Sequence, residues 1–179
     1  VIIFLILPLI YGLGISFFEY NPLHQKNPFI GLSNYVKLFR DDVFVKATIN
    51  TLFFVFVTVP INIVFTLTLA KFINTLHSNK FRGFFRTLYF LPCVAPMVVA
   101  ATVWGGNIFS TRYGILNTIL SSMGMQRVNF IGDARLVMYC LIVFTVWVDF
   151  GYNTVLFSAG LDAIPAQFEE AGKIDGAGP

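Results

Sequence analysis

The polar and apolar positions of this chain fall into long blocks. Four almost purely apolar runs, separated by loops that carry the charges, cover residues 1–18, 47–70, 87–111 and 136–161. A bilayer core of about 30 Å requires roughly 20 apolar residues in a helix, so each run is close to the length of a membrane span. Lipid offers the backbone no hydrogen-bond partners, and the alternation typical of a membrane β-barrel is missing. The pattern therefore predicts an all-α membrane protein, a polytopic helical bundle.

The composition agrees with a membrane location. The sequence is 56% hydrophobic and 12% charged, with mean hydropathy +0.75, whereas soluble domains carry about 25% charged residues. The net charge is only +3 and the basic residues are scattered, so no nucleic-acid partner is predicted. Cys93 and Cys140 lie inside apolar runs, which argues against a disulfide or a metal pair. No metal and no cofactor is predicted, because the sequence has neither a ligand cluster nor a phosphate-binding loop.

Both ends of the sequence are abrupt. Residues 1–18 lack a starting methionine, a basic leader and a small-residue cleavage site, so they are interpreted as a span and not as a signal peptide. We expect residues 1–179 to be one transmembrane domain, incomplete at both ends. Glycine and proline occur in every apolar run, with Pro60, Pro92 and Pro96 as candidate kinks. Ordinary close packing explains these residues, and bent helices around a translocation path are the alternative.

The loop over residues 71–86 gives the orientation. It holds Lys71, Lys80, Arg82 and Arg86 and no acidic residue. Cytoplasmic loops of membrane proteins are enriched in lysine and arginine, so this loop is predicted to be cytoplasmic. The segment after the last apolar run is then cytoplasmic as well.

The C-terminal segment, residues 161–179, carries helix-boundary signals. Pro165 suits a first helical position, where its missing N–H is not needed. Asp175 and Gly176 are typical of a turn in which a positive φ ends a helix. A short helix is therefore predicted over about residues 165–177.

A helix of this length is marginal by itself in water and needs a surface to pack against. Phe168, Ala171 and Ile174 fall on one side of it, while Glu169 and Glu170 lie near its start, where negative charge suits the helix dipole. Small residues, which permit close contact, are Ala171, Gly172, Gly176 and Ala177. The segment is either an interfacial connector between spans or a docking helix for a cytoplasmic partner with a basic groove.

Residues 170–177, which read EAGKIDGA, are similar to the EAA motif (E-A-A-x-x-D-G-A) of the permeases of ABC importers. Gly172 stands where alanine is usual; it stays small but costs about 1 kcal/mol of helix propensity. Other stretches, in order along the chain, resemble the sugar-importer branch that contains maltose- and glycerol-phosphate-type permeases. They are GLSNY at 31–35, DVF at 42–44, NTL at 50–52, FRTLYFLP at 85–92, YGILN at 113–117, and the stretch from Trp147 to Pro165.

This resemblance implies a type I ABC importer permease fold (MetI-like) with about six spans, of which four are present. It implies a prokaryotic cell-membrane subunit that pairs with a second, identical or related permease. It also implies an extracytoplasmic binding protein that delivers a sugar, and two cytoplasmic ATPases that hydrolyse ATP, so that the permease itself is not an enzyme. The residues implied in ATPase coupling are Phe168, Glu169, Glu170, Ala171, Gly172, Asp175, Gly176 and Ala177.

Asp149 is the one charged residue within the four apolar runs. A charge in the middle of a membrane costs about 2.5–3.5 kcal/mol on insertion scales, so Asp149 is expected to face the interior of the bundle or water. Trp147, Tyr152 and Asn153 lie close to it in sequence, and polar groups beside aromatic faces suit sugars. These four residues are the candidate substrate pathway. The alternatives are a buried polar contact between helices and a position near the wet end of a tilted span.

Two rival functions remain open on the residues alone. A secondary transporter would also use broken helices and a polar residue at mid-membrane depth, but it would need no docking helix. A structural membrane subunit would have no ATPase partner and no transport defect of its own. A membrane enzyme is disfavoured, since no set of acid, base or metal ligands recurs in the apolar runs.

Overall fold

The computed structural model describes residues 2–23 and 26–176, and these residues are helical apart from loops and one isolated antiparallel bridge, Phe18 to Phe29. The all-α prediction is confirmed. The helices are α1 Ile2–Ile15, α2 Ser33–Arg40, α3 Asp42–Thr75, α4 Asn79–Val94, α5 Met97–Val103, a π-helical segment Trp104–Ile108, α6 Ile115–Ser122, α7 Val137–Asp162 and α8 Ala166–Ile174. The chain divides into two compact units, residues 1–53 and 54–179.

In the first unit, α2 is tied to the end of α1 by two polar side chains. The Asn34 amide donates to the carbonyl oxygens of Ser16 and Phe18, at 2.8 and 3.0 Å. The hydroxyls of Ser16 and Tyr35 share a hydrogen bond of 2.7 Å. Terminal carbonyls of a helix have no partner within the helix, and Asn34 supplies one just beyond the end of α1. This gives a structural reason for the asparagine and tyrosine of the GLSNY stretch.

Within residues 2–23 and 26–176, two helices are long and apolar enough to cross a membrane. They are α3, with 34 residues, and α7, with 26 residues. The apolar run 47–70 lies within α3, and the run 136–161 lies within α7 apart from its first residue, Leu136. The shorter apolar helix α1 ends at Ile15, where the chain turns into the loop that precedes α2.

The predicted span over 87–111 is bent at Pro96, one of the candidate kinks. The chain forms α4 and then the segment Met97–Ile108, which is bent from α4 by 90°. Ala95 and Pro96 have extended backbones, with ψ of 134° and 125°. A residue before proline avoids helical angles, and proline has no N–H to continue the helix, so Pro96 ends α4. By length and composition the described residues contain two candidate spans, or up to three if the bent pair is one span, against the four predicted.

The second unit is built on a close contact between α4 and α7. A Cβ added at Gly151 on α7 would overlap the backbone carbonyl of Tyr89 on α4. The ring of Phe150 contacts those of Phe65 and Tyr89, with centroids 5.9 and 5.8 Å away. Small residues let membrane helices approach closely, and Gly151 does so here. The GxN part of the stretch from Trp147 therefore has a packing role at its glycine.

The interior of the second unit contains polar side chains beside apolar ones such as Ile73 and Phe109. Buried polar residues are Thr58, Asn62, Thr66, Asn117, Thr154 and Ser158. Large apolar side chains such as Val64, Leu91, Val98 and Leu156 are exposed instead. An apolar exterior with polar contacts between helices is the arrangement expected in lipid, where apolar side chains gain nothing from burial. The structure is thus that of a membrane protein.

Candidate functional site

The C-terminal segment forms the helix α8, over Ala166–Ile174. Its first turn is closed by a hydrogen bond of 3.0 Å from the Phe168 N–H to the Pro165 carbonyl, so Pro165 lies just before the helix. Its last turn is closed by the Asp175 N–H on the Ala171 carbonyl, at 3.0 Å. Gly176 follows with φ of +79°, a left-handed conformation that favours glycine and commonly ends helices.

The apolar side chains of α8 are uncovered. Phe168 is 69% exposed and Ile174 is 86% exposed. Glu170, Ala171, Asp175 and Gly176 are exposed as well, and Gly172 is half-buried. Within the part of the chain that the structure describes, no side chain of α8 forms a hydrogen bond or an ion pair. Ala177 and the side chain of Glu169, which also belong to the predicted coupling set, lie outside the described residues.

An ion-pair network lies directly before α8. Asp162 is the last residue of α7, and its Oδ2 accepts a hydrogen bond of 2.6 Å from Nη2 of Arg86. Nη1 of Arg82 is 3.6 Å from the other carboxylate oxygen. Nη2 of Arg86 also donates to the hydroxyl of Ser158, at 2.7 Å. Two arginines of α4 thus hold the end of α7.

The same network extends to the end of α3. The guanidinium of Arg82 donates to the carbonyls of Asn74 and Leu76, the latter at 2.7 Å from Nε. The Ser158 hydroxyl donates to Oδ1 of Asn74 at 2.7 Å, and the Asn74 amide returns a bond of 3.3 Å to the Ser158 carbonyl. Free carbonyls at helix ends carry partial negative charge, which cations stabilise. We call Asn74, Arg82, Arg86, Ser158 and Asp162 the polar junction.

Sequence reasoning missed this junction. Arg82 and Arg86 were predicted to be loop residues that mark the cytoplasmic side, but they lie in α4. A signal was available: Arg82 and Arg86 are four residues apart, as are Ser158 and Asp162, so each pair shares one face of its helix. The sequence alone does not show that these two faces meet, because that depends on how α4 packs against α7.

The structure does not bring the four candidate pathway residues together. Asp149 and Tyr152 are exposed, and Asp149 has no hydrogen bond or ion pair with another described residue. Asn153 donates its amide to Oδ1 of Asn62 at 2.9 Å. At 100° per residue, Asp149, Tyr152 and Asn153 lie on one side of α7, and Trp147 lies on the opposite side.

Trp147 belongs to an aromatic cluster. Its ring lies 5.1 Å from that of Trp104 in the π-helical segment and stacks on Phe144 at 6.3 Å. Trp104 also contacts Phe109 and Phe144, at 5.5 and 5.7 Å. These contacts join α7 to the π-helical segment that follows α5. They give Trp147 a packing role in this structure.

A polar seam on α3 was also missed. Thr58, Asn62 and Thr66 recur every four residues and are buried. Thr66 Oγ1 donates back to the Asn62 carbonyl at 2.6 Å. The hydroxyls of Thr58, on α3, and Thr154, on α7, are buried without a hydrogen-bond partner. Unpaired buried polar groups cost roughly 1–3 kcal/mol each, so these two hydroxyls reduce the stability of this interior.

Comparison with known proteins identifies relatives along almost the whole chain. No protein-family model matches it. It is 31% identical over 179 residues to the probable ABC transporter permease protein YurN of Bacillus subtilis, covering 99% of this chain and 61% of the relative. It is 32% identical over 177 residues to the trehalose/maltose transport system permease protein MalF of Thermococcus litoralis, covering 99% of this chain and 59% of the relative.

A solved structure shares the fold. It is a bacterial alginate ABC transporter in complex with an alginate pentasaccharide-bound periplasmic protein. One of its chains matches with a TM-score of 0.76 and 27% identity, over 98% of this chain and 57% of that chain. In each of these comparisons, then, the present chain spans less than two thirds of the length of the protein that it matches.

Proposed function

Because this chain is homologous along almost its whole length to permease proteins of ABC transporters, we propose that it is the membrane-spanning subunit of an ATP-driven importer. In this function it lines a solute path through the plasma membrane of a prokaryote and is driven by ATPases on the cytoplasmic side. The observation that carries the proposal is α8, an uncovered helix with an EAA-like sequence placed directly after a candidate span.

The exposed face of α8 suits a groove on a cytoplasmic ATPase. Phe168 and Ile174 are mostly exposed, and burying one such side chain contributes about 1.5–3 kcal/mol. Ala171, Gly172 and Gly176 allow the partner's backbone to approach closely. Glu170 is exposed and supplies a carboxylate for a basic residue in that groove. Two ATPases, one for each permease subunit of a homo- or heterodimer, complete the proposed complex.

The cargo proposed for this importer is a sugar or a sugar derivative. The names of the relatives point to trehalose or maltose and to alginate as the cargo of those proteins. The alginate transporter was solved with a periplasmic protein that carries the saccharide, which supports an extracytoplasmic binding protein as a partner here. Asp149, Tyr152 and Asn153 share one side of α7 and are proposed to line the path. Trp147 is proposed to hold α7 in place from the opposite side.

Purification of the complete protein from its own membranes tests the proposal. A tagged chain, solubilised in mild detergent, should retain an ABC ATPase, and the complex should hydrolyse ATP faster when a loaded binding protein is added. Transport by a purified chain without any ATPase would support a secondary transporter instead. A chain that retains neither an ATPase nor a transport activity would support a structural subunit.

A further inference from the structure

The polar junction is the last side-chain network before α8. Only Ala163, Ile164 and Pro165 separate the end of α7 from the start of α8. The Ala163 N–H bonds to the carbonyls of Ala159 and Gly160, both at 3.2 Å, and the Ile164 N–H bonds to the Leu161 carbonyl at 3.2 Å. The connection is therefore a hydrogen-bonded turn with little freedom. A displacement of α8 is expected to move Asp162 with it.

Asp162 is joined to α4 more firmly than a single ion pair would allow. Its two carboxylate oxygens face different arginines, Arg86 at 2.6 Å and Arg82 at 3.6 Å. Arg86 binds the fully buried Ser158 one turn earlier in α7 as well. Both contacts are made by the same nitrogen, Nη2, so Arg86 is held to two positions one turn apart on α7.

The opposite end of α4 is the broken segment. The helix ends at Val94, and the chain continues beyond Pro96 at 90°. The break contains two extended residues, Ala95 and Pro96, between helical segments. Rotation about one or two extended residues changes the angle between helices without breaking hydrogen bonds inside either helix. The junction therefore contacts the first half of α4, and the break lies at the C-terminal end of the same helix.

We infer that Arg86 and Asp162 are a positioning pair that transmits movement of α8 to α4, so that the angle between α4 and α5 changes during the transport cycle. The inference rests on the proposed function, since an ATPase must move α8. Arg82 and Asn74 have a supporting role, in which they bind the end of α3 to the polar junction. Neither Arg86 nor Asp162 contacts the transported solute in this mechanism.

Distance measurements between spin labels test the inference in the complete protein with its co-purified ATPase in nanodiscs. Labels replace the exposed Phe84 on α4 and Val103 on α5, after Cys93 and Cys140 have been changed to alanine. In the otherwise unchanged complex, the distance distribution should shift when ATP and vanadate are added. With Arg86→Gln or Asp162→Asn, at least half of that shift should be lost while ATP hydrolysis continues. Asp162→Glu should restore most of it.

The controls separate this inference from the proposed function and from misfolding. Lys80→Gln, an exposed position in the first turn of α4, should leave the shift unchanged. Failure of the unsubstituted chain to retain an ATPase would overturn the proposed function. Retention of the ATPase with an undiminished shift in both variants would overturn the inference alone. The absence of any shift in the unsubstituted complex would also overturn the inference. So would a folded Asp162→Asn chain that no longer retains the ATPase, because Asp162 would then contribute to ATPase docking and not to the transmission of movement.

Discussion

The side-chain amide of Asn153 on α7 donates a hydrogen bond of 2.9 Å to Oδ1 of Asn62 on α3, across 91 residues of sequence. Asn62 is buried, whereas Asn153 is half-buried. Between apolar helices such a pair fixes which faces meet, because any other rotation of α3 or α7 leaves a polar group without a partner. The hydroxyls of Thr58 and Thr154 also lie in this interior.

Replacing either asparagine by leucine should destabilise the chain, and the two effects should not add. Asn62→Leu and Asn153→Leu each remove the same hydrogen bond, which is worth about 0.6–1.7 kcal/mol in membrane proteins. The double variant should therefore be less destabilised than the sum of the single variants by roughly that amount. Unfolding of the purified chain in a detergent titration measures the difference. Additive effects would mean that the two amides act independently.

Gly151→Ala should separate α4 from α7. The added Cβ overlaps the backbone carbonyl of Tyr89, which cannot rotate away as a side chain can. Overpacking of this kind costs about 1–3 kcal/mol. Thermal unfolding of the purified chain should show the loss as a lower midpoint.

The same helix offers a matched control for that substitution. Gly160 also lies in α7, and a Cβ there meets no atom within 4 Å. Gly160→Ala should therefore be neutral or raise stability, since alanine favours a helix by about 1 kcal/mol over glycine. Equal effects of the two substitutions would show that helix propensity, and not the contact with Tyr89, governs the response at Gly151.

Gly176→Trp should detach the ATPase from the complex. The new side chain enters the proposed docking surface, and the φ of +79° adds strain for any residue with a Cβ. The retained fraction of ATPase on the tagged chain should fall at least tenfold, and uptake should fall with it. Normal assembly and normal transport by this variant would falsify the docking role of the segment.

A second glycine controls for backbone strain in that experiment. Gly124 has φ of +76° and, like Gly176, has no atom within 4 Å of an added Cβ. It lies between α6 and α7, outside the proposed coupling segment. Gly124→Trp should lower stability by a similar amount and leave the ATPase bound. Loss of the ATPase in both variants would point to general misfolding.

Asp149→Ala should reduce uptake with the complex intact. The carboxylate is exposed on α7 and has no partner among the described residues, so its removal is not expected to disturb packing. Initial uptake of a radiolabelled sugar that the binding protein retains should fall several-fold, with ATPase retention unchanged. Unchanged kinetics would remove Asp149 from the pathway. Trp147→Phe, which keeps an aromatic ring against Trp104, should affect stability more than uptake.

Local signals in the sequence were sufficient for the helical elements. The apolar run 47–70 lies inside α3, and all of the run 136–161 except Leu136 lies inside α7, because a backbone hydrogen bond from residue i to i−4 depends only on neighbours along the chain. The turn at Gly176 was likewise readable from the residue types at Asp175 and Gly176. Pro96 signalled the break at Ala95–Pro96 as a candidate kink. The prediction still assigned residues 87–111 to a single span, because the apolar residues continue through the break.

What the sequence by itself determined was the class of protein and the position of a short helix after the last apolar run, since both follow from composition and local signals. Only the tertiary structure decided which polar groups meet. Arg86 forms an ion pair with Asp162, 76 residues away in sequence, and Asn153 forms a hydrogen bond with Asn62, 91 residues away. The physical reason is that the rotation of each helix about its axis is set by packing against its neighbours, as where Gly151 meets Tyr89, and no local pattern contains that angle.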